Sequence, residues 1–572
     1  MNGGKLNEES ESSSLRVRHG EEATPFTREE IVTARLRLSK VLPYQSARPP
    51  FISNLALALF SGVLLTFAFP DWGLWSLGWV GAAPLVMAIA RDQRPVRALL
   101  LGQVTGTVFY AGSSHWITYS MHNYGGINLW LSYLLMMLVG IALGFFTGLF
   151  AAALGLAIRR FGGWAILSAP ALWPASEWLR LKATGMGWHA LGYSQSFQPA
   201  VIQIARWGGV YAVSALLMIA SAALVFAVIY LERRRGFIAL TAAIAIGIAA
   251  VIYGLSLRPE GEPARAISIA VIQPNMPIDA DWTDAEFNDQ MTDVHITLTE
   301  RAMEPSAKRS NGSSSNGGAE KEKIDLVIWP ESPASFDYER DPGLRRKLAD
   351  FVSRHQVFLL FDGWGFAREG DDPASVYNSA MMIGPSGERI SRYDKIALMP
   401  FGEYVPARGW IPFMDRVPAL VADITPGNSP TLSEAAGTKL GTFICFEATR
   451  PEIARAFRNE GAQFFAQLSN ESWFGPTAAS RQVMAQAVFR AVENDVELVR
   501  ATNSGHSARI DRYGAVHNET PMFQTATRLW KVEAADGEKT FYTRYGDVFV
   551  WLCAALSASI LIAACIPKRE EE

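Results

Sequence analysis

Three side chains in the C-terminal half could together perform acyl transfer. Cys445 ends the apolar, β-prone run that starts at Lys439, and Glu447, Arg450 and Pro451 follow at once. The pattern predicts a strand turning into a helix. Such a turn can hold a nucleophile clear of the sheet with backbone N–H groups around it. Glu331 closes Ile328-Trp-Pro-Glu331 and Lys395 closes Tyr393-Asp-Lys395, each after a similar strand. A thiol, a carboxylate and an amine at one sheet edge would supply nucleophile, base and anion stabiliser.

A free thiol titrates near ~8.5, so it needs a base or a cation beside it. Glu331 can take the thiol proton where an apolar setting raises its pKa, and Trp329 and Pro330 offer one. Lys395 can stabilise the thiolate and then the tetrahedral oxyanion, helped by the backbone N–H of Phe446. Glu403 and Glu447 are candidates to hold Lys395 and keep it charged. Singly, each residue has a plain alternative: Glu331 as a solvated strand end, Lys395 as a surface charge, Cys445 as an inert buried thiol. Their combination carries the reading.

The elements that must position them fall into two parts. At 572 residues the chain is too long for one compact core. Its net charge of -3 argues against a nucleic-acid partner. Residues 1–50 are polar and predict a disordered cytoplasmic tail. Residues 51–257 are mostly long apolar runs, residues 258–545 resemble a soluble α/β domain, and one more apolar run occupies 546–567 before a short tail at 568–572.

A spanning helix needs about 20 mostly apolar residues. The candidates are Phe51–Phe69, Gly73–Ala90, Val96–Ile117, Leu129–Ile158, Val210–Leu231, Phe237–Leu257 and Val548–Ile566, with Gly163–Leu181 weaker because it carries Pro170, Pro174 and Glu177. Cytoplasmic loops gather Lys and Arg. The clusters Arg91/Arg94/Arg97, Arg159/Arg160 and Arg233–Arg235 share a side only if Gly163–Leu181 also crosses. Counting it predicts about eight spans, both termini inside and the soluble domain outside. The alternative leaves that segment re-entrant or interfacial. Aromatics in the loop 182–207 are read as interfacial anchors or as the lining of a lipid entrance.

Cys553 and Cys565 lie in the last apolar run, so Cys445 has no disulfide partner in its own domain. His189 is isolated, no metal-ligand spacing occurs, and no cofactor is called for. Within the soluble part, Ala266–Pro274, Ile324–Pro330, Val357–Gly363, Ser379–Ile383, Gly441–Phe446, Phe464–Leu468 and Val496–Thr502 read as strands. Asp341–His355, Arg450–Gly461 and Ala478–Asp495 read as helices. This alternation predicts a layered α/β domain with buried sheets. The Ser/Gly/Asn-rich stretch 305–323 reads as a flexible insertion.

The order Glu, Lys, Cys in an α/β domain resembles the nitrilase (carbon–nitrogen hydrolase) superfamily. Longer motifs narrow the likeness: Tyr393-Asp-Lys-Ile-Ala-Leu-Met-Pro-Phe-Gly-Glu-Tyr-Val-Pro406, Ile444-Cys-Phe-Glu447, Ser469-Asn-Glu-Ser-Trp-Phe-Gly475 and Tyr542-Thr-Arg-Tyr-Gly-Asp547 are similar to those of the apolipoprotein N-acyltransferase family. The resemblance covers roughly residues 51–566. It implies an α-β-β-α sandwich fused to a polytopic helical membrane domain, placed in a bacterial inner membrane with the catalytic domain on the periplasmic side. It implies Glu331, Lys395 and Cys445 as the catalytic triad and Glu403, Glu447 and Phe446 as support. Trp282, Asn470 and Trp473 fall at substrate-binding positions. The implied reaction moves an acyl chain from a phospholipid, through a Cys445 thioester, to the α-amine of a diacylglyceryl apolipoprotein. Phe446 stands where some members have Tyr, and His506 where an aliphatic residue is more usual. A membrane-tethered amidase, resolving the same thioester with water, is the nearest alternative. A non-enzymatic receptor or transporter is the more distant one.

Overall fold

A computed structural model of the chain describes residues 51–70, 72–230, 234–257, 265–278, 284–304, 323–331, 336–406 and 423–566. The 1–50 tail, Arg233, Trp282, almost all of the 305–323 insertion and the 568–572 tail lie outside the described residues.

The apolar runs become helices, which satisfy every backbone N–H and C=O internally. In order these are α1 Phe51–Ala68, α2 Ala83–Arg91, α3 Pro95–Ser113, α4 Ile117–Asn123, α5 Leu129–Phe161, α6 Ala169–Thr184, α7 Ala205–Ile229 and α8 Arg234–Ser256. A last helix, Val548–Cys565, follows the catalytic domain. Five of the eight expected segments (α1, α5, α7, α8 and the last helix) are long and apolar enough to cross a membrane. The expected count of eight is not carried by length and composition alone. Gly73–Ala90 divides into a 3₁₀ turn, Trp75–Trp79, and the nine-residue α2. Gly163–Leu181 divides likewise into a 3₁₀ turn, Gly163–Ser168, and the sixteen-residue α6 with Pro174 inside it. Val96–Ile117 appears as α3, which breaks before α4.

Small residues let α3 and α5 pack at backbone distance. A Cβ added to Gly106 of α3 would lie 2.6 Å from the Gly144 Cα of α5. Helix α7 breaks at Gly208–Gly209, where Gly209 has φ +63°.

The soluble part contains two six-stranded sheets among the described residues. The first holds β1 Ala266–Gln273, β2 Leu326–Ile328, β3 Phe358–Phe366, β4 Val376–Ile383 and β5 Arg389–Asp394. The second holds β6 Ser433–Ala435, β7 Thr438–Ile444, β8 Phe464–Ser469, β9 Leu498–Thr502, β10 Ala508–Ile510 and β11 Val516–His517. The final strand, β12 Ala526–Glu533, returns to pair antiparallel with β1. Each sheet has a parallel centre, β1–β2–β3 and β7–β8–β9.

Alternation along the strands assigns the layers. Ile269 and Val271 of β1 join Ile328, Leu360, Ile444, Leu468 and Ala501 in the core between the sheets. Their neighbours Ala270 and Ile272 face outward with Leu348, Phe351 and Val352 of α10 (α9 being Ala285–Met303 and α10 Pro342–His355). On the other sheet α11 Pro451–Glu460 contributes Phe457, and α12 Ala479–Asn494 is buried on almost every residue. The result is the expected α-β-β-α sandwich. Helix α12 is buried all round because one side packs on the sheet and another on α7.

Candidate active site

Cys445 sits one residue past β7, on a 3₁₀ turn, Cys445–Thr449, with φ +50°. A non-glycine residue rarely occupies this left-handed region, and doing so costs of order 1–2 kcal/mol. Pro451 then opens α11 at its first turn, where its missing N–H is harmless. The strand-turn-helix read from the sequence is therefore present, with a strained nucleophile position at its hinge.

Glu331 and Lys395 arrive from the other sheet, just past the ends of β2 and β5. Lys395 is 1% exposed. Its Nζ donates to Glu403 Oε1 at 2.7 Å and to Glu331 Oε1 at 3.3 Å. Burial alone would lower the Lys395 pKa, but Glu331, Glu403 and Cys445 together hold it well above the usual lysine value. Lys395 is thus a fixed ammonium. Glu331 is itself held at both oxygens: Asn470 N–H donates to Oε2 at 2.9 Å and Asn378 Nδ2 to Oε1 at 3.0 Å. Burial and the nearby Glu331 charge push the Cys445 thiol up to about 12, with Lys395 opposing them. The candidate nucleophile therefore keeps its proton near neutral pH, beside Glu331 and the Lys395 ammonium.

The two supporting glutamates do different things. Glu403 touches Lys395 directly, and its second oxygen accepts the Met399 N–H at 2.8 Å. Glu447 does not bond Lys395 itself. It accepts from Tyr393 Oη at 2.6 Å, Ile396 N at 2.7 Å, Ala397 N at 3.1 Å and Ile444 N at 2.8 Å. It therefore staples the segment after Lys395 to the end of β7. Burial raises its pKa against these donors.

Phe446 is buried in an aromatic cluster that joins the catalytic turn to the membrane part. Trp188 stacks on it with ring centroids 6.3 Å apart, and Trp116 lies 5.1 Å from Trp188. Trp188 and Tyr193, read as interfacial anchors or as the lining of a lipid entrance, are instead 4% exposed and packed between the domains, while Trp207 of the same loop is 56% exposed. Gln482 of α12 closes the junction. Its Oε1 accepts from Trp116 Nε1 and Trp188 Nε1 at 3.1 and 2.9 Å, with His189 Nε2 at 3.2 Å. Its Nε2 donates to Pro70 and Ser113 carbonyls at 2.7 and 2.9 Å. Trp473 is half-buried. Its carbonyl accepts from Ser120 Oγ at 2.7 Å, and its ring meets Tyr124 edge-on at 5.2 Å. Asn470 Oδ1 accepts from Ser472 N and from Asn503 Nδ2, both at 3.3 Å.

The sequence reading missed Asn378 and Gln482. Asn378 Nδ2 bridges Glu331 and Glu403 at 3.0 Å each. The available signal was a polar residue inside an apolar strand, since β4 reads Val-Tyr-Asn-Ser-Ala-Met-Met-Ile. No cluster of His, Cys, Asp and Glu fit for a metal occurs among the described residues.

Comparison with known proteins identifies the family of the chain. Residues 61–223 match the apolipoprotein N-acyltransferase N-terminal domain, and residues 268–538 match the carbon-nitrogen hydrolase family. An apolipoprotein N-acyltransferase from Geobacter metallireducens is 33% identical over 90% of this chain and 95% of its own length. One from Azotobacter vinelandii is 30% identical over 92% of this chain and 97% of its own length. Among solved structures, a nitrilase-superfamily amidase from Nesterenkonia AN1 aligns with a TM-score of 0.34 at 18% identity, covering 50% of this chain and 95% of that one. With matches of this identity running nearly end to end, the chain belongs to the apolipoprotein N-acyltransferase family, a membrane protein family built on a carbon-nitrogen hydrolase domain.

Proposed function

We propose that the chain moves an acyl chain from a membrane phospholipid to the α-amine of the diacylglyceryl-cysteine that begins an apolipoprotein, by way of a Cys445 thioester. The observation that carries it is a neutral thiol on a strained turn, placed within the fields of Glu331 and Lys395 and packed through Phe446 against the membrane part.

Because the thiol is protonated at rest, attack and proton transfer must be coupled. Glu331 takes the thiol proton as the sulfur bonds to the ester carbonyl carbon. The oxyanion is met by Lys395 Nζ and the Phe446 N–H. The C–O ester bond then breaks, Glu331 returns the proton to the glycerol oxygen, and a lysophospholipid leaves. The lipoprotein amine next attacks the thioester and gives a proton to Glu331. The C–S bond breaks, and the departing thiolate recovers that proton. Asn470 and Trp473 are the contacts proposed for the acceptor.

Contacts at the two ends of the helical part support eight crossings with both termini cytoplasmic and the catalytic domain periplasmic. At one end Arg97 lies over Phe51, Arg160 Nε donates to Ala563 O and Arg235 lies over Trp164. At the other, α4 and the 185–193 loop touch the catalytic domain. The 3₁₀ turn at Gly163–Ser168 and α6 together join these ends. Their combined rise of about 36 Å is enough for a crossing.

Mass spectrometry of the purified protein after incubation with phospholipid tests the reading. A hydroxylamine-labile acyl adduct is expected on Cys445, absent in Cys445→Ala, and discharged by a diacylglyceryl lipopeptide onto its amine. Labelled acyl chains appearing only as free fatty acid would sink the transferase reading in favour of a membrane-tethered hydrolase.

A further inference from the structure

Two long polar residues stand in the middle of largely apolar parallel strands. They are Gln467 in β8 (Phe-Phe-Ala-Gln-Leu-Ser) and Arg500 in β9 (Leu-Val-Arg-Ala-Thr), and both are fully buried. They are direct neighbours in the strand register. A buried charge inside a sheet is costly unless it is paired and hydrogen-bonded. Arg500 is paired with Glu471, donates Nε to the His506 carbonyl at 2.9 Å, and donates Nη1 to Gln467 Oε1 at 3.2 Å. The cation fixes which end of the Gln467 amide is which: the oxygen faces Arg500, so the NH2 faces away. That Nε2 donates to the carbonyl oxygen of Cys445 at 3.2 Å.

We infer that Gln467, clamped by Arg500, is the positioning residue that aims the oxyanion-binding amide of the nucleophile turn. The peptide bond between Cys445 and Phe446 is planar and trans, so its C=O and N–H point in opposite directions. Holding the Cys445 carbonyl fixes the direction of the Phe446 N–H. The turn needs such a clamp because Cys445 has φ +50°, a conformation the chain leaves unless its surroundings hold it. Gln467 touches no reacting atom. It acts through the Cys445–Phe446 peptide, and Glu471 keeps its clamp in place by pairing with Arg500 and accepting from Ser469 Oγ at 3.3 Å. The inference rests on the acyl-enzyme reading of Cys445 but not on the identity of the donor or acceptor lipid.

Two small probes separate this role from a general structural one in the full-length protein. Acylation of Cys445 by p-nitrophenyl acetate passes through a tetrahedral oxyanion, whereas alkylation by iodoacetamide displaces iodide with no oxyanion formed. Gln467→Met should slow the first-turnover acylation by about 10- to 100-fold and leave alkylation within about twofold of the unmodified protein. Gln467→Glu keeps the size and the contact to Arg500 but removes the donor, and should show the same selective loss above the pH at which its carboxyl ionises. Equal slowing of both probes in both variants would overturn the proposal by making Gln467 a support of the thiol or the fold. Unchanged acylation would overturn it as well. Acylation of the unmodified protein no faster than of Cys445→Ala would do the same, since no aimed oxyanion donor would then exist. Failure of the lipid-transfer reading shows separately, as p-nitrophenyl acylation without any phospholipid-derived adduct.

Discussion

Two buried polar knots, one around Lys395 and one around Gln482, are built from different materials. Behind Cys445, Lys395 is held by Glu331, Glu403 and, through both carboxylates, Asn378. At the junction with the membrane part, Gln482 satisfies two indoles, an imidazole and two carbonyls with one neutral amide. The first knot stores charge where charge must develop. The second stores none, and fixes the distance between the nucleophile turn and the helices beneath it. A neutral amide suits that task, because it locks two surfaces without adding a field that would disturb the thiol a few residues away. Breaking the first should therefore cost chemistry, and breaking the second should cost assembly.

The largest expected effect belongs to Lys395→Met. It removes the proposed oxyanion partner and leaves Glu331 and Glu403 facing each other in a buried site. Acyl-enzyme formation should fall by about 10³-fold or more, and stability by roughly 3–5 kcal/mol for the uncompensated charge. Thermal unfolding and adduct mass spectrometry in parallel check both. A variant that retains wild-type acylation would remove Lys395 from the chemistry.

The charge in the first knot also sets how the thiol responds to pH. Burial and Glu331 raise the Cys445 pKa to about 12, so the thiolate fraction grows tenfold per pH unit through the neutral and alkaline range. Iodoacetamide should label Cys445 about 10³-fold faster at pH 10 than at pH 7, without a plateau. A free cysteine, titrating near ~8.5, would level off in that window. A plateau below pH 9 would mean that Lys395 outweighs Glu331 at the sulfur and that the nucleophile rests as a thiolate.

How much of this was legible in the sequence differs between the knots for the same physical reason. Glu331, Lys395 and Cys445 each end a strand, and an abrupt change from apolar to polar marks a strand end well. The roles of the two acids were less readable. Glu447 lies two residues past the nucleophile, yet it grips the backbone at Ile396 and Ala397 rather than the Lys395 ammonium. Gln482 lies in a helix buried at every residue but Arg481, so no amphipathic stripe set it apart. Trp188 and Tyr193 carried an interfacial signature by composition, but the catalytic domain covers them. Composition reports what a side chain tolerates, and covering by a distant segment is a tertiary fact. The short α2 and α6 show the same limit from the other direction, since apolar length in the sequence did not reveal where the 3₁₀ turns would interrupt it.

The second knot is tested by Gln482→Leu. The change leaves the Trp116 and Trp188 indoles without their acceptor and two carbonyls without their donor. At about 1–3 kcal/mol for each group that water cannot reach, several kcal/mol of stability should go. Labelling of Cys445 at a temperature below the new unfolding transition should stay close to normal. Loss of labelling with unchanged stability would instead make Gln482 part of the chemistry.

The smallest effect expected is at the rim. Tyr124 reaches from the segment between α4 and α5 to the catalytic domain, donating its hydroxyl to Ser472 O at 3.2 Å and meeting the Trp473 ring in a T-shaped contact. Tyr124→Phe keeps the ring contact and removes one partly exposed hydrogen bond, worth about 0.5–1.5 kcal/mol. With Trp473 as the proposed acceptor contact, the loss should raise the KM for the lipopeptide by a factor of about 2 to 10 and leave the rate of Cys445 acylation by phospholipid unchanged. Tyr124→Ala, which also removes the ring, should exceed it in the same direction. If both variants slowed the first acylation instead, the α4 side of the junction would belong with the charged knot, and the division between chemistry and assembly would fail at this point.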